Sequence, residues 1–430
     1  MSSSFTYDLV HLPQGLSRFG DVSIPGSKSS TLRALLLSAQ SSETTRIQNV
    51  LRSNDTAVML EALEHLGASI AFIDATNITI SGPMIHPTEE SEINLGESGL
   101  LLRLLLVHVS LFGKAPVRFH GQGRLLERPL AGLINALSLL GVSITQEPKS
   151  ISVIPCSLPS RPIEISIDPS ISSQWISALA LSLAHHPFGG TIHFTKPIIS
   201  KSYLDLTSYW LKIFGCIQSV ESNQWKIPGG LSSPGSCLIE GDWSSAAAFI
   251  LASATQGIPL CIKGLNKNTP QGDQFLLEIL SKSFVIHRWR ESNLHIEGKI
   301  NGGIYEDLSS CPDLAPVLAA ACVLGPQSSH LKGLQTLKDK ESDRFQKIQD
   351  LIHWLGGTYE TKYDSEIIIH PRISEKKPLV AFDPSGDHRI AFAAALGALK
   401  TGGPILNPTC VNKTFPDFWV EWSKMLGQVT

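Results

Sequence analysis

One phrase recurs along this chain at a nearly constant interval. An amphipathic run ends in Leu-Gly or Phe-Gly and passes into a β-like run: LEALEHLGASI, INALSLLGVSI, YWLKIFGCIQS, DLIHWLGGTYE and VEWSKMLGQV. Its glycines are Gly67, Gly141, Gly215, Gly356 and Gly427, separated by 74, 74, 141 and 71 residues. The long gap is close to two periods. The missing copy is expected near residue 284, where LLEILSKSFVI runs on without its glycine. A glycine after the last helical turn suits the left-handed conformation in which many helices end.

A second phrase interleaves with the first. A small or polar opener leads into a nearly all-apolar helix: GSKSSTLRALLLSA, GESGLLLRLLLVHV, SSQWISALALSLA, DWSSAAAFILASA, CPDLAPVLAAACVL and GDHRIAFAAALGAL, with openers near residues 29, 99, 173, 244, 313 and 388. A helix that is apolar all round is buried. Strand-like runs such as TRIQNV, SIAFI, ITISG, PVRFHG, ISVIP, IHFTK, SEIIIHP and PILNP lie between the helices. The chain therefore reads as six copies of one α/β unit of about 72 residues in 430. Three copies per domain is the natural grouping, and the Gly-, Pro- and Ser-rich stretch WKIPGGLSSPGSCLIEGDW at the midpoint suits a crossover. The expected domains are 22–240, and 1–21 with 241–430. A single six-unit solenoid is the competing arrangement, but solenoid repeats run nearer 20–45 residues.

Composition narrows the function classes. Hydrophobic residues make up 42% and charged residues 17%, so there is ample core. Net charge is −3 from 35 basic and 38 acidic residues, with no basic excess that would point to nucleic acid. The seven cysteines are scattered, without a C-x-x-C pair or zinc spacing, and are expected as reduced thiols. MSSSFTYDLV has no basic n-region or apolar h-region, so a secretory leader is not expected. The longest apolar stretch is broken by Arg103 and His108, short of the ~20 residues a membrane span needs. A soluble cytoplasmic monomer is the expectation. Any anion site must be a local cluster of Lys and Arg.

That cluster is sought at the openers, because a helix N-terminus presents free N–H groups and the positive end of its dipole. Lys28, Ser29 and Arg33 open the first apolar helix, and Arg103 and Arg389 head the second and sixth. One buried Arg is readily a structural ion pair; three at equivalent repeat positions point to anions. PGSKSS is not a nucleotide phosphate loop, since Ser27 stands where Gly must precede the Lys. No dinucleotide G-x-G-x-x-G occurs. LKDKESDRFQKIQDL adds Lys340, Glu341, Asp343 and Arg344, read plainly as a helix start with first-turn acids and a Glu341–Arg344 attraction. Asp313 after a proline reads plainly as a helix N-cap. Glu341 and Asp313 become acid/base candidates if the fold brings them into one cleft.

The motifs PGSKSSTLRALLL, SNDTAVMLEALEHLG, GESGLLLR, GQGRLLERPLAGLINAL, SISSQW, ISKSYLDLT, EGDWSSAAAFI, SSCPDLAP, LKDKESDR, DHRIAFAAAL and NKTFPDF occur in this order. On them the sequence resembles the 5-enolpyruvylshikimate-3-phosphate synthase family of enolpyruvyl transferases, along nearly the whole chain. The resemblance implies an α/β fold of two similar domains. Each has three repeated β/α units around buried parallel helices, an inside-out α/β barrel, with the active site in the cleft between domains. It implies transfer of the enolpyruvyl group of phosphoenolpyruvate to the 5-hydroxyl of shikimate 3-phosphate, without cofactor or metal. It also implies that Lys28, Gly99, Arg103, Arg124, Gln174, Arg344, Arg389 and Lys413 bind phosphoenolpyruvate. Lys28, Ser29, Arg33, Ser172, Ser173, Gln174, Ser200, Tyr203, Asp313 and Lys340 are implied to bind shikimate 3-phosphate. Asp313, Glu341 and Lys28 are the implied catalytic groups. Some positions depart from the family pattern: Glu97 replaces an Asn, Leu100 a Thr, Leu104 a Pro, Asn54 an Asp and Thr336 an Asn. Glu97 would set a carboxylate near a phosphate site unless turned away or paired. The related UDP-N-acetylglucosamine enolpyruvyl transferases lack the SKSxxxR and KESDR signatures. A silent phosphometabolite-binding protein would not need Lys28, Asp313, Glu341 and Lys413 together.

Overall fold

The computed structural model describes residues 6–8, 16–198, 200–373 and 378–428. The opening stretch read above for a leader lies outside them apart from Thr6–Asp8. Helices come in pairs, the first buried and the second amphipathic. They are α1 (Lys28–Gln40) and α2 (Asn54–His65), α3 (Gly99–Phe112) and α4 (Ala131–Ser138), then α5 (Ser173–Leu183) and α6 (Lys201–Ile213). The second half repeats this with α7 (Trp243–Gln256) and α8 (Leu276–Lys282), α9 (Ala315–Leu324) and α10 (Arg344–Trp354), α11 (His388–Thr401) and α12 (Phe418–Met425). Every residue of α9 is buried, as are all but one of α3 and all but Lys400 of α11. No described helix is long and apolar enough to cross a membrane.

The chain divides into a contiguous unit, Gly26–Ile239, and a discontinuous unit, Met1–Pro25 with Glu240–Thr430. In the contiguous unit α1, α3 and α5 pack together at the centre; in the discontinuous unit α7, α9 and α11 do so. Small sheets lie outside the helices, the reverse of an ordinary α/β barrel. Each complete sheet has one parallel and two antiparallel pairings. In the second copy Ser91–Asn94 runs parallel to Val117–His120, which pairs antiparallel with Ser150–Ile154, which pairs antiparallel with Ser143–Gln146. Inward Val and Ile alternate with polar neighbours, the period of a strand with one buried face.

Two sheets borrow their parallel strand. Ser236–Leu238, just before α7, pairs with Thr45–Gln48 of the first copy. Val22–Ser23, just before α1, pairs with Leu260–Lys263 of the fourth. In the sixth copy Phe382 bridges Ile405 in parallel, and the start of the chain, Thr6–Asp8, supplies the antiparallel partner of Pro404–Leu406.

The recurrent glycines do what the period predicts. Gly67, Gly141, Gly215, Gly356 and Gly427 have φ of 93°, 94°, 77°, 82° and 67°. At each helix end two N–H groups turn back onto the last turn, as when Gly67 donates to Glu64 O and Ala68 to Leu63 O, both at 2.9 Å. The copy without a glycine closes the same way. Phe284 N–H reaches Ser281 O at 3.2 Å, Val285 N–H reaches Leu280 O at 3.0 Å, and Phe284 itself adopts φ 64°. Its side chain is 75% exposed, so little packing offsets the steric cost of a Cβ in the left-handed region.

A buried histidine chain crosses the contiguous core. Gln40 Nε2 at the end of α1 lies 2.9 Å from His108 Nδ1 on α3, and His108 Nε2 lies 3.1 Å from His86 Nε2. His185 lies tilted against His108, with ring centroids 5.9 Å apart. Burial pushes His86 down to about 4, helped by His185 and Lys114, and holds His108 well below the ordinary imidazole value. Two facing Nε2 atoms share one proton and repel a second.

Phe284→Gly is expected to raise unfolding stability by about 1 kcal/mol, read from denaturant melts; no gain would mean the φ is unstrained. The histidines set an acid limit. Their folded affinity for protons is below the unfolded one, so stability is lost as pH falls from about 6.5 toward 4. His86→Gln keeps an amide partner for His108 and removes that titration. It should flatten the decline in urea midpoint over this range; an unchanged decline would place the acid sensitivity elsewhere.

Candidate active site

In the contiguous unit the polar openers converge on the N-terminal ends of α1 and α5. Ser27 caps α1, its Oγ accepting the Ser30 N–H. Lys28, the first helical residue, pairs through Nζ with Asp55 Oδ2 at 3.1 Å, and Ser98 Oγ donates to the same oxygen at 3.0 Å. Ser172 caps α5 by accepting the Gln174 N–H at 3.3 Å, and Ser173 is buried beside it. Gln174 Oε1 is buried without a hydrogen-bond partner among the described residues, an acceptor awaiting a donor. Ser200 precedes α6 in the left-handed region, φ 52°, and its carbonyl accepts the Tyr203 N–H.

Arg33 lies one turn into α1 and is 1% exposed. Its Nε donates to Thr207 Oγ1 at 2.9 Å, Nη1 to Ser29 O at 2.9 Å, and Nη2 to Ser177 Oγ at 3.2 Å and Tyr203 O at 3.5 Å. All these acceptors are neutral. Burial lowers the guanidinium to about 10, partly opposed by Tyr203. Arg103 is tied to carbonyls, Nη1 to Gly99 O at 2.9 Å and Nη2 to Pro129 O at 3.2 Å. Gly99 opens α3, and the Arg128 guanidinium occupies the place a Cβ would take. Arg124 is exposed, with Nε 3.4 Å from Glu127 Oε2. Glu97 turns its carboxylate onto Gly123, with Oε1 2.9 Å from where a Cβ would stand, one residue before Arg124.

The discontinuous unit is organised around Arg344, also 1% exposed. Its Nη1 reaches Asp313 Oδ1 at 2.7 Å, Nη2 reaches Glu341 Oε2 at 2.6 Å, and Nε reaches Asp387 Oδ2 at 2.7 Å. Burial alone would lower its proton affinity, but Asp387, Glu341 and Asp313 together raise it above the usual arginine value. Asp313 also meets Arg389 Nη2 at 3.1 Å and Lys340 Nζ at 3.5 Å. Lys413 Nζ donates to Gly386 O at 3.0 Å. Thus Asp313, Lys340, Glu341, Arg344 and Arg389 form one connected network.

Two local readings change. Asp313 is not a helix N-cap: it is the middle residue of a 3-10 turn, Pro312–Leu314, and its carboxylate serves the cations. Glu341 is not in a helical first turn, because α10 begins at Arg344 with Asp343 as its cap; the Glu341–Arg344 contact itself is present.

Two participants, Asp387 and Asp273, were not singled out as site residues from the sequence. Asp387, wholly buried, caps α11 by accepting the Arg389 N–H at 3.0 Å, accepts Ser342 Oγ at 3.1 Å, and binds Arg344 twice. Its place at the head of DHRIAFAAAL, just before the His388-Arg389 opener, is the sequence clue. Asp273 is buried and accepts a hydrogen bond from Ser244 Oγ. Burial pushes its carboxyl up to about 7; Arg389 opposes this and Asp313 adds to it.

Fixed cations and helix ends of this kind are suited to anions, and carboxylates held like those of Asp313 and Glu341 in the discontinuous unit are suited to taking or returning protons. A family model described as EPSP synthase (3-phosphoshikimate 1-carboxyvinyltransferase) matches residues 15–422. A 3-phosphoshikimate 1-carboxyvinyltransferase of Escherichia coli is 32% identical over 415 residues, 94% of this chain and 96% of the relative. One of Vibrio cholerae is 32% identical over 417 residues with the same coverage. Among solved structures, an EPSP synthase of Acinetobacter baumannii matches at TM-score 0.77 and 24% identity, over 98% of both chains. The enolpyruvyl transferase NikO of Streptomyces tendae matches at TM-score 0.70 and 17% identity, over 96% of this chain and 95% of that one. At these identities the structural likeness is one of fold.

Proposed function

The chain belongs to the EPSP synthase family, and from that membership we propose which of its residues carry the family reaction. The enzyme transfers the enolpyruvyl group of phosphoenolpyruvate to the 5-hydroxyl of shikimate 3-phosphate, giving 5-enolpyruvylshikimate 3-phosphate and phosphate. The hydroxyl oxygen adds to C2 of phosphoenolpyruvate while a proton joins the CH2 carbon. The tetrahedral intermediate then expels phosphate, and the methyl group so formed gives a proton back. Both steps are redox-neutral, so no electron-carrying cofactor enters. We place the enzyme in the cytoplasm as a monomer.

The Arg344 network carries the assignment of roles. It sets a cation within 2.7 Å of both Asp313 and Glu341, so phosphoenolpyruvate binding at Arg344 brings the anion to the two acid/base groups. Glu341 serves the enol carbon, Asp313 the 5-hydroxyl, and Lys28 the phosphate leaving group. Arg103, Arg124, Arg389 and Lys413, with the Gly99 helix end and Gln174, complete the phosphoenolpyruvate set. Ser29, Arg33, Ser172, Ser173, Ser200, Tyr203 and Lys340 hold shikimate 3-phosphate. Each substrate has a phosphate and a carboxylate, which is why so many cations are assigned to the two of them. Glu97, turned onto Gly123, tempers the charge beside Arg124.

Phosphate released from the two substrates together, and from neither alone, tests the activity. Glu341→Gln and Asp313→Asn should each lower kcat by about 10²–10⁴-fold while calorimetry still registers shikimate 3-phosphate. Near-normal turnover in either variant would remove that residue from the chemistry.

A further inference from the structure

The molecule contains two arginines that are 1% exposed in their settings, and they are held in opposite ways. Arg344 is surrounded by three carboxylates. Among the described residues, Arg33 meets only two hydroxyls and two backbone carbonyls. A buried cation ordinarily acquires a counter-charge, because leaving it uncompensated is strongly unfavourable. Here the two side chains nearest the guanidinium, Thr207 and Ser177, are both fully buried and both neutral.

We propose that Thr207 and Ser177 are positioning residues that aim Arg33 without neutralising it, keeping its whole charge for the anion of shikimate 3-phosphate. The proposal rests on the reading of Arg33 as a shikimate 3-phosphate ligand. Thr207 Oγ1 lies 2.7 Å from the carbonyl of Tyr203, one turn back on α6, and 2.8 Å from Ser177 Oγ. Its single proton goes to one of these acceptors, leaving lone pairs to receive the Arg33 Nε–H. Ser177 on α5 receives Nη2, and Ser29 O receives one N–H of Nη1. A guanidinium has five N–H donors in a rigid plane. With these bonds made on three sides, the plane is fixed by two helices, and the second Nη1 N–H has no acceptor among the described residues. A carboxylate at either hydroxyl position would hold the guanidinium as firmly but would cancel the charge that a bound anion needs.

The test titrates shikimate 3-phosphate into the full-length enzyme by calorimetry, with steady-state kinetics alongside. Thr207→Val, matched in shape, should weaken shikimate 3-phosphate about tenfold, while KM for phosphoenolpyruvate at saturating co-substrate stays within about twofold. Thr207→Ser should restore the affinity. Ser177→Ala should give a smaller loss and stands in if the valine variant does not fold. Thr207→Asp separates aiming from mere structure: it should keep or raise the thermal midpoint yet weaken shikimate 3-phosphate by about a hundredfold. Wild-type affinity in both Thr207→Val and Ser177→Ala, or retained affinity in a folded Thr207→Asp, would overturn the proposal. Absence of binding to the wild-type enzyme would instead overturn the reading of Arg33 on which it rests.

Discussion

Six helices in this chain have no side that water can wet, so each must be enclosed along its length. Packing three of them together in each unit meets that demand and leaves the amphipathic helices and small sheets to cover them. The same demand decides where polarity can go. A wholly buried helix can carry charge only at its ends, and its N-terminal end already offers unpaired N–H groups and a positive dipole. Ser27, Ser172, Asp242 and Asp387 close four of those ends with side-chain oxygens. Lys28, Arg33, Arg103 and Arg389 follow within the first two turns. The packing rule and the anion chemistry are thus one constraint seen along the helix and at its tip.

The two buried arginines show how electrostatics is divided. Arg344 meets Asp313, Glu341 and Asp387, which stabilise its charge and are in turn fixed in place by it. Removing one member of such a cluster leaves a buried charge short of its partner, typically a loss of about 3–5 kcal/mol. Arg33 has no such insurance and sits among hydroxyls and carbonyls. One guanidinium is held by opposite charge, the other by neutral dipoles.

Much of this was legible in the sequence because it depends on period and on short-range rules. The six copies, the buried and amphipathic helices, and the glycine ends all follow from spacing of residue types. Even the absent glycine was visible, although the sequence did not show that Phe284 would take up the left-handed conformation regardless. What stayed hidden was long-range. Asp55, Asp387, Ser177 and Thr207 are ordinary residues in their local segments and gain meaning only from contacts many residues away. Asp313 misled for the complementary reason: after a proline it has the local signature of a cap, and the cations that claim it come from elsewhere in the chain. The strand exchanges of Val22–Ser23 and Ser236–Leu238 follow from neither period nor propensity.

Those exchanges bear on how the protein is made. A ribosome delivers the chain from its N-terminus at roughly 5–20 residues per second. Val22–Ser23 emerges early, but its partner Leu260–Lys263 comes only after the whole contiguous unit, a wait of roughly 12–47 s at that pace. Thr6–Asp8 waits longer still, for Pro404–Leu406 near the end of synthesis. The contiguous unit, by contrast, has all its strands once Ser236–Leu238 has been translated. Nascent chains therefore pass through a stage in which one unit is complete while the first strands of the other remain without partners.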